Sequence, residues 1–229
     1  MASTIMDNNK KKSSLYSRII KRLFDIIASL LVIVLFGWLF VIIAILVRIK
    51  LGSPVIFKQK RPGMIDRKTG KEQIFEMFKF RTMTEEVDEN GELLPDEKRL
   101  TKFGKALRAT SLDELPEVFN ILLGQLSLIG PRPLLVSYLP YYTEAEHHRH
   151  DVRPGLTGYA QVNGRNYVSW EEKFKMDLWY VDNISFKTDV SILFKTILVV
   201  FKRENIETAS IIEHDGVIYQ PLDIERREK

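Results

Sequence analysis

A run of 22 uncharged residues, Ile26 to Val47, constrains this chain more than any other feature of its sequence. A straight helix of that length covers about 33 Å, which is enough for the hydrocarbon core of a bilayer. The run lacks the polar stripe at helical spacing that a helix packed on a soluble core shows. No small-residue cleavage site follows it, which argues against a signal peptide. We therefore predict a membrane-inserted helix over residues 23–50.

The excess of positive charge lies in the tail before that helix, residues 1–22. The chain has a formal net charge of +4, but this tail holds six basic residues and one acidic residue, so the rest of the chain has a net charge of −1. A basic body is typical of a nucleic-acid-binding protein, whereas a basic segment beside an apolar helix is typical of contact with anionic lipids. We predict membrane lipids as partners and no nucleic acid. The sequence carries no signal for an oligomeric state.

Basic residues flank the apolar run on both sides, in the tail and again from Arg48 to Arg61. The positive-inside rule places Lys and Arg on the cytoplasmic side, so a spanning helix satisfies only one of the two flanks. A re-entrant helix, which bends in the bilayer and returns to the same face, satisfies both. Gly37 at the centre of the run is the candidate hinge. The flanks favour the re-entrant helix, and a spanning helix is the alternative.

The body of the chain has the composition of an ordinary globular domain. Hydrophobic residues make up 45% and charged residues 28%, which excludes a disordered chain, and the lack of cysteine excludes disulfides and thiolate metal sites. We predict one domain over residues 51–204. A tail over residues 205–229 follows, in which Asp215-Gly216 between apolar residues marks a candidate two-residue hairpin.

The expected fold class is α+β and predominantly helical, with a small β element and interfacial amphipathic helices. Pro54 to Gly63 is predicted as a strand, and Ile74 to Met83 as a paired strand or a short helix. Helices are expected at Leu100–Ala109, at Leu115–Leu123 before Gly124, around Ser137–Tyr142, and from a capping residue at Ser169. Asp189 to Lys202 is apolar but too short to span a bilayer, so it is either a core helix or an interfacial one.

Two adjacent carboxylates, Asp113 and Glu114, are the main candidates for chemistry. Ser111 and Glu114 have the spacing of a capping box, but Pro116 would then lie inside the helix, where its ring clashes with the preceding turn. With Asp113 as N-cap, Pro116 falls in the first turn, so we expect both carboxylates at a helix N-terminus, a favourable place for an anion. The pair is either structural or able to hold Mg²⁺, attack an electrophile or transfer a proton.

Arginines and glycines that follow the pair are suited to phosphate. Arg132 stands between two prolines, which fix φ on both sides, so it is either a rigid phosphate ligand or a structural Arg that binds carbonyls. Residues 152–166 combine three glycines with Arg153 and Arg165, a loop whose backbone N–H groups are suited to surround an anion. The loop has neither Walker nor GxGxxG spacing.

Three histidines, His147, His148 and His150, lie close together in a polar run. Their spacing is not that of a typical zinc site. We therefore expect a solvated surface there and not a metal centre.

The motifs together resemble the bacterial sugar-transferase family, the monotopic phosphoglycosyl transferases. They are KRLFDIIAS, VIFKQKRPG, FKFRTM, LRATSLDELPEVFNILLGQLSLIGPRPLL and VRPGLTGYAQVNGRN, in the family's order over about residues 21–203. The chain is similar to the small single-domain branch known from protein N-glycosylation pathways. In that branch a Ser-Pro pair usually breaks the membrane helix. This chain has Gly37-Trp38 there, so the proline that would cause a kink is missing.

The resemblance implies a membrane enzyme that moves a sugar 1-phosphate from a UDP-sugar to undecaprenyl phosphate and releases UMP. That reaction is the first membrane step of glycoconjugate assembly, on the inner (cytoplasmic) membrane, with the catalytic domain on the cytoplasmic face. The resemblance further implies that Asp113 and Glu114 are catalytic. Asp113 is then the nucleophile that forms a covalent phospho-sugar intermediate and also a ligand of Mg²⁺, with Mn²⁺ as the alternative ion.

Substrate-binding cations complete the set of candidate residues. The resemblance assigns this role to Lys79, Arg108 and Arg132, and the glycine-rich loop adds Arg153 and Arg165. A different class of function is a catalytically silent membrane scaffold for a glycan-assembly complex. The joint presence of the carboxylate pair and the three cations of the motifs argues against a scaffold, which has no need of them together.

Overall fold

The computed structural model describes residues 16–164, 168–202, 212–214, 217–219 and 221–227. The helices are α1 (Lys21–Leu51), α2 (Asp96–Arg99), α3 (Lys102–Ala109), α4 (Glu117–Leu122), α5 (Glu144–His147), α6 (Tyr159–Asn163), α7 (Trp170–Asp182), α8 (Phe186–Lys202) and α9 (Leu222–Glu225). The strands are β1 (Ile56–Ile65), β2 (Glu72–Phe80), β3 (Ser127–Ile129), β4 (Gly155–Thr157), β5 (Ile212–His214) and β6 (Val217–Tyr219). The prediction of a predominantly helical α+β fold is confirmed.

Short helical turns complete the described elements. A π-helical turn, Tyr16–Ile20, leads into α1, and 3₁₀ turns lie at Leu112–Glu114, Val136–Tyr141 and His148–Asp151. Two predicted helix ends are confirmed. The Ser169 side chain accepts a hydrogen bond from the backbone of Glu172 at the start of α7, and Gly124 follows α4 with a φ of 80°. A positive φ suits glycine, which has no Cβ to clash.

The longest strands form an antiparallel hairpin, in which Ile56 of β1 pairs with Phe80 of β2 and Pro62 pairs with Ile74. The second of the two segments predicted here is therefore a strand and not a short helix. One face of β2 places Phe75 and Met77 in a core cluster with Ile121 of α4. The hairpin thus packs against α4, the helix that follows the carboxylate pair.

Two smaller pairs of strands lie later in the chain. β3 and β4 are parallel, with Ser127 opposite Gly155. β5 and β6 are antiparallel, with His214 opposite Val217, and this pairing confirms the predicted hairpin. Its turn, Asp215-Gly216, lies outside the described residues.

Helix α1 is long and apolar enough to cross a membrane, and it extends slightly beyond the predicted residues 23–50. Its middle is exposed, as Val34 (78%) and Trp38 (62%) show. The Trp38 indole N–H donates a hydrogen bond to the carbonyl of Leu35 at 3.0 Å. This bond gives the polar indole N–H a partner in a segment where a bilayer would offer no water.

The first turns of α1 are fixed to the folded domain by polar contacts. Arg22 donates to the carbonyls of Ile121 and Leu122 at the end of α4, at 2.5 and 2.8 Å. Buried Asp25 accepts hydrogen bonds from the Ser127 hydroxyl and the Leu128 amide, at 3.0 and 2.9 Å. Arg22 belongs to the tail that is predicted to contact lipid, but its guanidinium binds the folded domain.

A second polar cluster joins the start of α1 to α8 around Asp189, which is buried. Lys21 forms a salt bridge with Asp189 at 2.6 Å, and the hydroxyls of Tyr16 and Tyr180 each donate to this carboxylate at 2.7 Å. Burial of a carboxylate is tolerated when its oxygens are paired in this way.

The other end of α1 packs on the same domain through an apolar cluster. Ile43, Val47 and Leu51 are buried against Phe80 of β2 and Leu107 of α3. Both ends of α1 therefore contact the folded domain, while its apolar middle is exposed.

Helix α8 contains the apolar segment predicted as a core or an interfacial helix. Asp189 and Ile192 are buried, whereas Phe194 and Leu198 are 65% and 59% exposed. One face of α8 thus packs on the domain and the other presents large apolar side chains. Such a face is typical of a helix that lies in a membrane interface.

Candidate active site

Asp113 and Glu114 lie in a tight turn between α3 and α4. Ser111 has a φ of 54°, in the left-handed region, and redirects the chain into the 3₁₀ turn Leu112–Glu114. Helix α4 begins only at Glu117, with Pro116 as its N-cap. The prediction that Asp113 caps this helix is therefore wrong, and so is the alternative capping box, because Ser111 makes no side-chain cap hydrogen bond.

Glu114 is bound by two cations from distant parts of the chain. Lys79 of β2 contacts its Oε1 atom at 2.7 Å, and Arg132 forms a short salt bridge to the same oxygen. Burial disfavours the charged form of Glu114, but the attraction of Arg132 and Lys79 outweighs it and lowers the pKa of this carboxyl. Glu114 is therefore an anion that holds two cations in place.

Lys79 also contacts a third carboxylate, Glu117, at 3.3 Å. The Glu117 side chain is 1% exposed. Burial and the negative charge of Glu114 raise the pKa of Glu117 to about 7, although Lys79 and Arg132 oppose the shift. The sequence analysis missed Glu117, because an acidic residue in a first helical turn is common and needs no functional explanation.

Asp113 is buried, with 7% of its surface exposed. Burial and the neighbouring Glu114 raise its pKa, while Lys79 and Arg108 act in the opposite direction. Among the salt bridges of the described residues none involves Asp113, in contrast to Glu114. Arg108 is held nearby by a hydrogen bond from its Nε to the Thr82 hydroxyl at 3.1 Å.

Arg132 lies in a turn whose backbone carbonyls accept hydrogen bonds from two other arginines. Buried Arg149 donates to the backbone carbonyl of Arg132 at 2.7 Å and binds Asp177 at the same distance. Arg61 of β1 donates to the carbonyl of Pro133 at 3.2 Å. The prolines are therefore not the only groups that fix this turn, because Arg149 and Arg61 also bind it. The sequence analysis gave no role to either arginine.

The glycine-rich loop supports that turn. The Gly155 N–H donates to the carbonyl of Pro131 at 3.0 Å, so it is not available to an anion. A Cβ added at Gly155 would lie 2.0 Å from the backbone nitrogen of Gly130, so close approach of two chain segments requires glycine here. For Gly155 the expectation of an anion-binding amide is therefore wrong.

Of the two arginines predicted in this loop, Arg153 does not join the carboxylate cluster. Arg153 donates to the carbonyl of Gly124 at 2.9 Å, at the opposite end of α4 from Glu114. This position gives no support to a role in substrate binding. Arg165 lies outside the described residues.

The histidine run is only partly the solvated surface that we expected. His147 pairs with Glu72 at 2.7 Å and His148 pairs with Asp151, both partly exposed, but His150 and Arg149 are each 2% exposed. That expectation is wrong for Arg149 and His150.

No group of three or more His, Asp or Glu side chains among the described residues is arranged to hold a metal ion. Mg²⁺ at phosphoryl-transfer sites takes one or two carboxylates and completes its shell with phosphate oxygens and water. Asp113, a buried carboxylate outside the salt bridges of Glu114, fits that donor set. Binding of Mg²⁺ in this way does not require three protein ligands.

The fold and the site define a class of protein: a small domain attached to a long apolar helix, with two adjacent carboxylates, of which Asp113 is buried and Glu114 is bound by two cations. Residues 16–203 match the model of the bacterial sugar transferase family. The chain belongs to this family.

Relatives of about the same length as this chain support the assignment to the family. The uncharacterized sugar transferase EpsL of Bacillus subtilis is 52% identical over 189 residues, which cover 82% of this chain and 91% of EpsL. The exopolysaccharide production protein ExoY of Rhizobium meliloti is 38% identical over 194 residues, or 77% of this chain and 83% of ExoY.

Larger relatives carry names that state a reaction. The UDP-glucose:undecaprenyl-phosphate glucose-1-phosphate transferase of Klebsiella pneumoniae is 41% identical over 189 residues, or 78% of this chain. The matched region spans 39% of that protein and 44% of the undecaprenyl-phosphate galactose phosphotransferase of Salmonella typhimurium. The chain thus spans less than half the length of these relatives.

Proposed function

We propose that this protein transfers a sugar 1-phosphate from a UDP-sugar to undecaprenyl phosphate and releases UMP. The observation that carries the proposal is the contrast within the carboxylate pair: Glu114 holds Lys79 and Arg132, while Asp113 beside it stays outside the salt bridges of the described residues. A buried carboxylate next to fixed cations is suited to attack a phosphate whose charge those cations neutralise. The names of the larger relatives supply the substrate classes.

The proposed mechanism has two displacements at one phosphorus atom. An Asp113 oxygen attacks the β-phosphorus of the UDP-sugar, the bond from this phosphorus to the bridging oxygen breaks, and UMP leaves with that oxygen. A phosphate oxygen of the lipid then attacks the same phosphorus and releases the Asp113 carboxylate. A covalent aspartyl intermediate divides one transfer between two anions into two easier steps.

Magnesium, or manganese in its place, is proposed as the cofactor, with Asp113 as its protein ligand. A divalent cation bound there would neutralise negative charge on the phosphate groups. Lys79, Arg108 and Arg132 are proposed to bind the anionic oxygens of the substrate around it. We expect turnover to vanish in excess EDTA and to return on addition of Mg²⁺, and full turnover in the chelator would remove the metal from the proposal.

A re-entrant helix on the cytoplasmic face of the inner membrane is the proposed topology. Its support is the packing of both ends of α1 on one domain, through Arg22 and Asp25 at the start and Val47 and Leu51 at the end. A helix that spans the bilayer would carry one of these ends to the far side. Single cysteines at Ser13 and Ser53 are expected to react with an impermeant thiol reagent from the cytoplasmic side only. Labelling from opposite sides would show a spanning helix.

The experiment that tests the reaction is UMP release by the purified protein with undecaprenyl phosphate and a panel of UDP-sugars. The proposal expects acceptor-dependent UMP with at least one UDP-sugar and none from Asp113→Asn, whose side chain keeps its size but loses its charge. A catalytically silent scaffold, the competing function, predicts no release with any donor.

Intact-mass measurement with UDP-sugar alone tests the intermediate. We expect a phospho-sugar adduct on the active protein, and a burst of UMP no larger than the amount of enzyme. Direct attack by the lipid phosphate predicts no adduct and intersecting initial-rate lines in place of ping-pong kinetics. That result, with proven turnover, would reject the covalent step while leaving the overall reaction intact.

A further inference from the structure

An apolar cavity of about 330 Å³ lies between α1, the β1–β2 hairpin and the start of α4. Its walls include Phe40 and Ala44 of α1, Phe78 and Phe80 of β2, and Phe119 of α4. Every residue that lines it has an apolar side chain, and the volume lies within the range of about 300–1,000 Å³ that small-molecule ligands occupy.

One wall of this cavity belongs to the helix that we assign to the membrane. Phe40 and Ala44 follow the exposed apolar middle of α1, so a hydrocarbon chain in the bilayer would meet the cavity along that helix. The ring of Phe40 packs against Phe80 on one side and against Phe119 on the other, at centroid distances of 6.1 and 5.8 Å. These contacts connect the membrane helix to both other walls.

The opposite wall belongs to the segments that carry the candidate active site. Pro116 lines the cavity and follows Glu114 by two residues. Phe78 and Phe80 line it from alternate positions of β2, and Lys79 between them contacts Glu114 at 2.7 Å. Successive side chains of a strand point to opposite faces, so β2 presents hydrocarbon to the cavity and a cation to the carboxylate pair.

We propose that this cavity binds the first isoprene units of the lipid acceptor, next to its phosphate. The proposal rests on the proposed function, because the acceptor is the substrate that joins a hydrocarbon chain to an anionic head group. The head group would be bound by the cations near Glu114, and the chain would pass from the cavity along α1 into the bilayer. A UDP-sugar has no apolar chain for such walls.

The test fills the cavity and compares the two substrates of one reaction. In Ala44→Phe a ring enters from the α1 wall, and we expect the KM for undecaprenyl phosphate to rise at least about tenfold, since loss of even one methylene contact in an apolar pocket changes selectivity by that order. The KM for the UDP-sugar should stay within about twofold. Ile45→Phe is the matched control: it adds the same ring one residue along, on a side chain that is 53% exposed and does not line the cavity.

A second variant guards against misfolding of the first, because Ala44 also packs on the core cluster around Val47. Phe119→Ala removes a partly exposed ring from the opposite wall, and we expect the same selective rise in the acceptor KM. Leu123→Ala, which truncates an exposed side chain just after the same helix, is its control.

The outcomes separate the two proposals. If the wild-type protein is active and both cavity variants keep their acceptor KM, the cavity holds something else, such as an acyl chain of a bulk lipid, and this inference is wrong while the function stands. If the KM values of both substrates rise equally, the cavity is structural and the inference also fails. If the wild-type protein transfers sugar phosphate to no polyprenyl phosphate, the proposed function fails and this inference with it.

Discussion

Lys79 and Arg132 bind the same carboxylate oxygen, Oε1 of Glu114. The two cations come from a strand before α4 and from a turn after it, so this one oxygen connects three segments of the chain. Two positive charges this close would repel each other without the anion between them. Glu114 thus keeps both cations beside Asp113, and we infer that substrate phosphates compete for them.

Substitution of Arg132 tests whether phosphate binding needs the planar guanidinium or only a positive charge. A guanidinium binds two phosphate oxygens in a fork and still contacts Glu114, whereas an ammonium is a single point charge. We expect Arg132→Ala to lower kcat/KM by about a hundredfold to a thousandfold and Arg132→Lys to recover only part of that loss. Steady-state UMP release measures both. Full activity in Arg132→Lys would contradict bidentate recognition.

Local patterns in the sequence predicted most of the elements. The apolar run, the cap at Ser169 and the glycine at position 124 depend on residues within one or two turns, which the sequence shows directly. The start of α4 was missed because Ser111 adopts a left-handed conformation. Its φ redirects the chain into a 3₁₀ turn. A left-handed conformation is uncommon for residues other than glycine, so the sequence does not predict it at a serine.

The candidate site was predictable as a set of motifs but not as a geometry. The resemblance grouped Lys79, Arg108 and Arg132 with the carboxylate pair, yet it gave no sign that two of them meet on one oxygen. The polar run that contains Arg149 predicts a solvated surface, although Arg149 is buried. Its partner Asp177 lies on α7, and only the tertiary fold brings that carboxylate to it.

Glu117 gives a prediction for the pH dependence of activity. Its pKa is raised to about 7 by burial and by Glu114, so it gains a negative charge beside Lys79 as the pH rises through neutrality. That charge weakens the pull of Lys79 on anionic substrates, and we expect kcat/KM for the UDP-sugar to fall several-fold between about pH 6 and pH 8.

Glu117→Gln mimics the neutral form, so its kcat/KM should stay high over this range and the inflection near pH 7 should disappear. The control is Glu76→Gln, which removes a half-exposed carboxylate that pairs with Lys58 and leaves the site unchanged. A Glu117→Gln protein that is inactive at every pH would show that the ionised carboxylate is required.

Asp177 is expected to be required for the stability of the turn that carries Arg132, because it neutralises the buried charge of Arg149. Removal of one charge leaves the other buried without a counter-ion, at a cost of about 3 kcal/mol. We expect Asp177→Asn to lower Tm by about 6 to 12 °C in detergent. Asp182→Asn changes a carboxylate five residues along the same helix, which is 60% exposed and lies 3.8 Å from His148. This change should shift Tm by much less. Equal Tm shifts in the two variants would contradict a structural role for the Arg149–Asp177 contact.

His150 predicts how stability depends on pH. Burial and the nearby Arg149 lower its pKa to about 4, and it contacts the carbonyl of Gly63 at 2.9 Å. The unfolded chain, with a pKa near 6.5, binds a proton at a pH where the folded protein does not, so stability falls as the pH drops from about 6.5 to 4. The loss reaches about 2 kcal/mol at pH 5. Thermal melts of the wild-type protein and His150→Gln measure it: the variant should lose this part of the slope, and identical slopes would mean that His150 titrates normally in the fold.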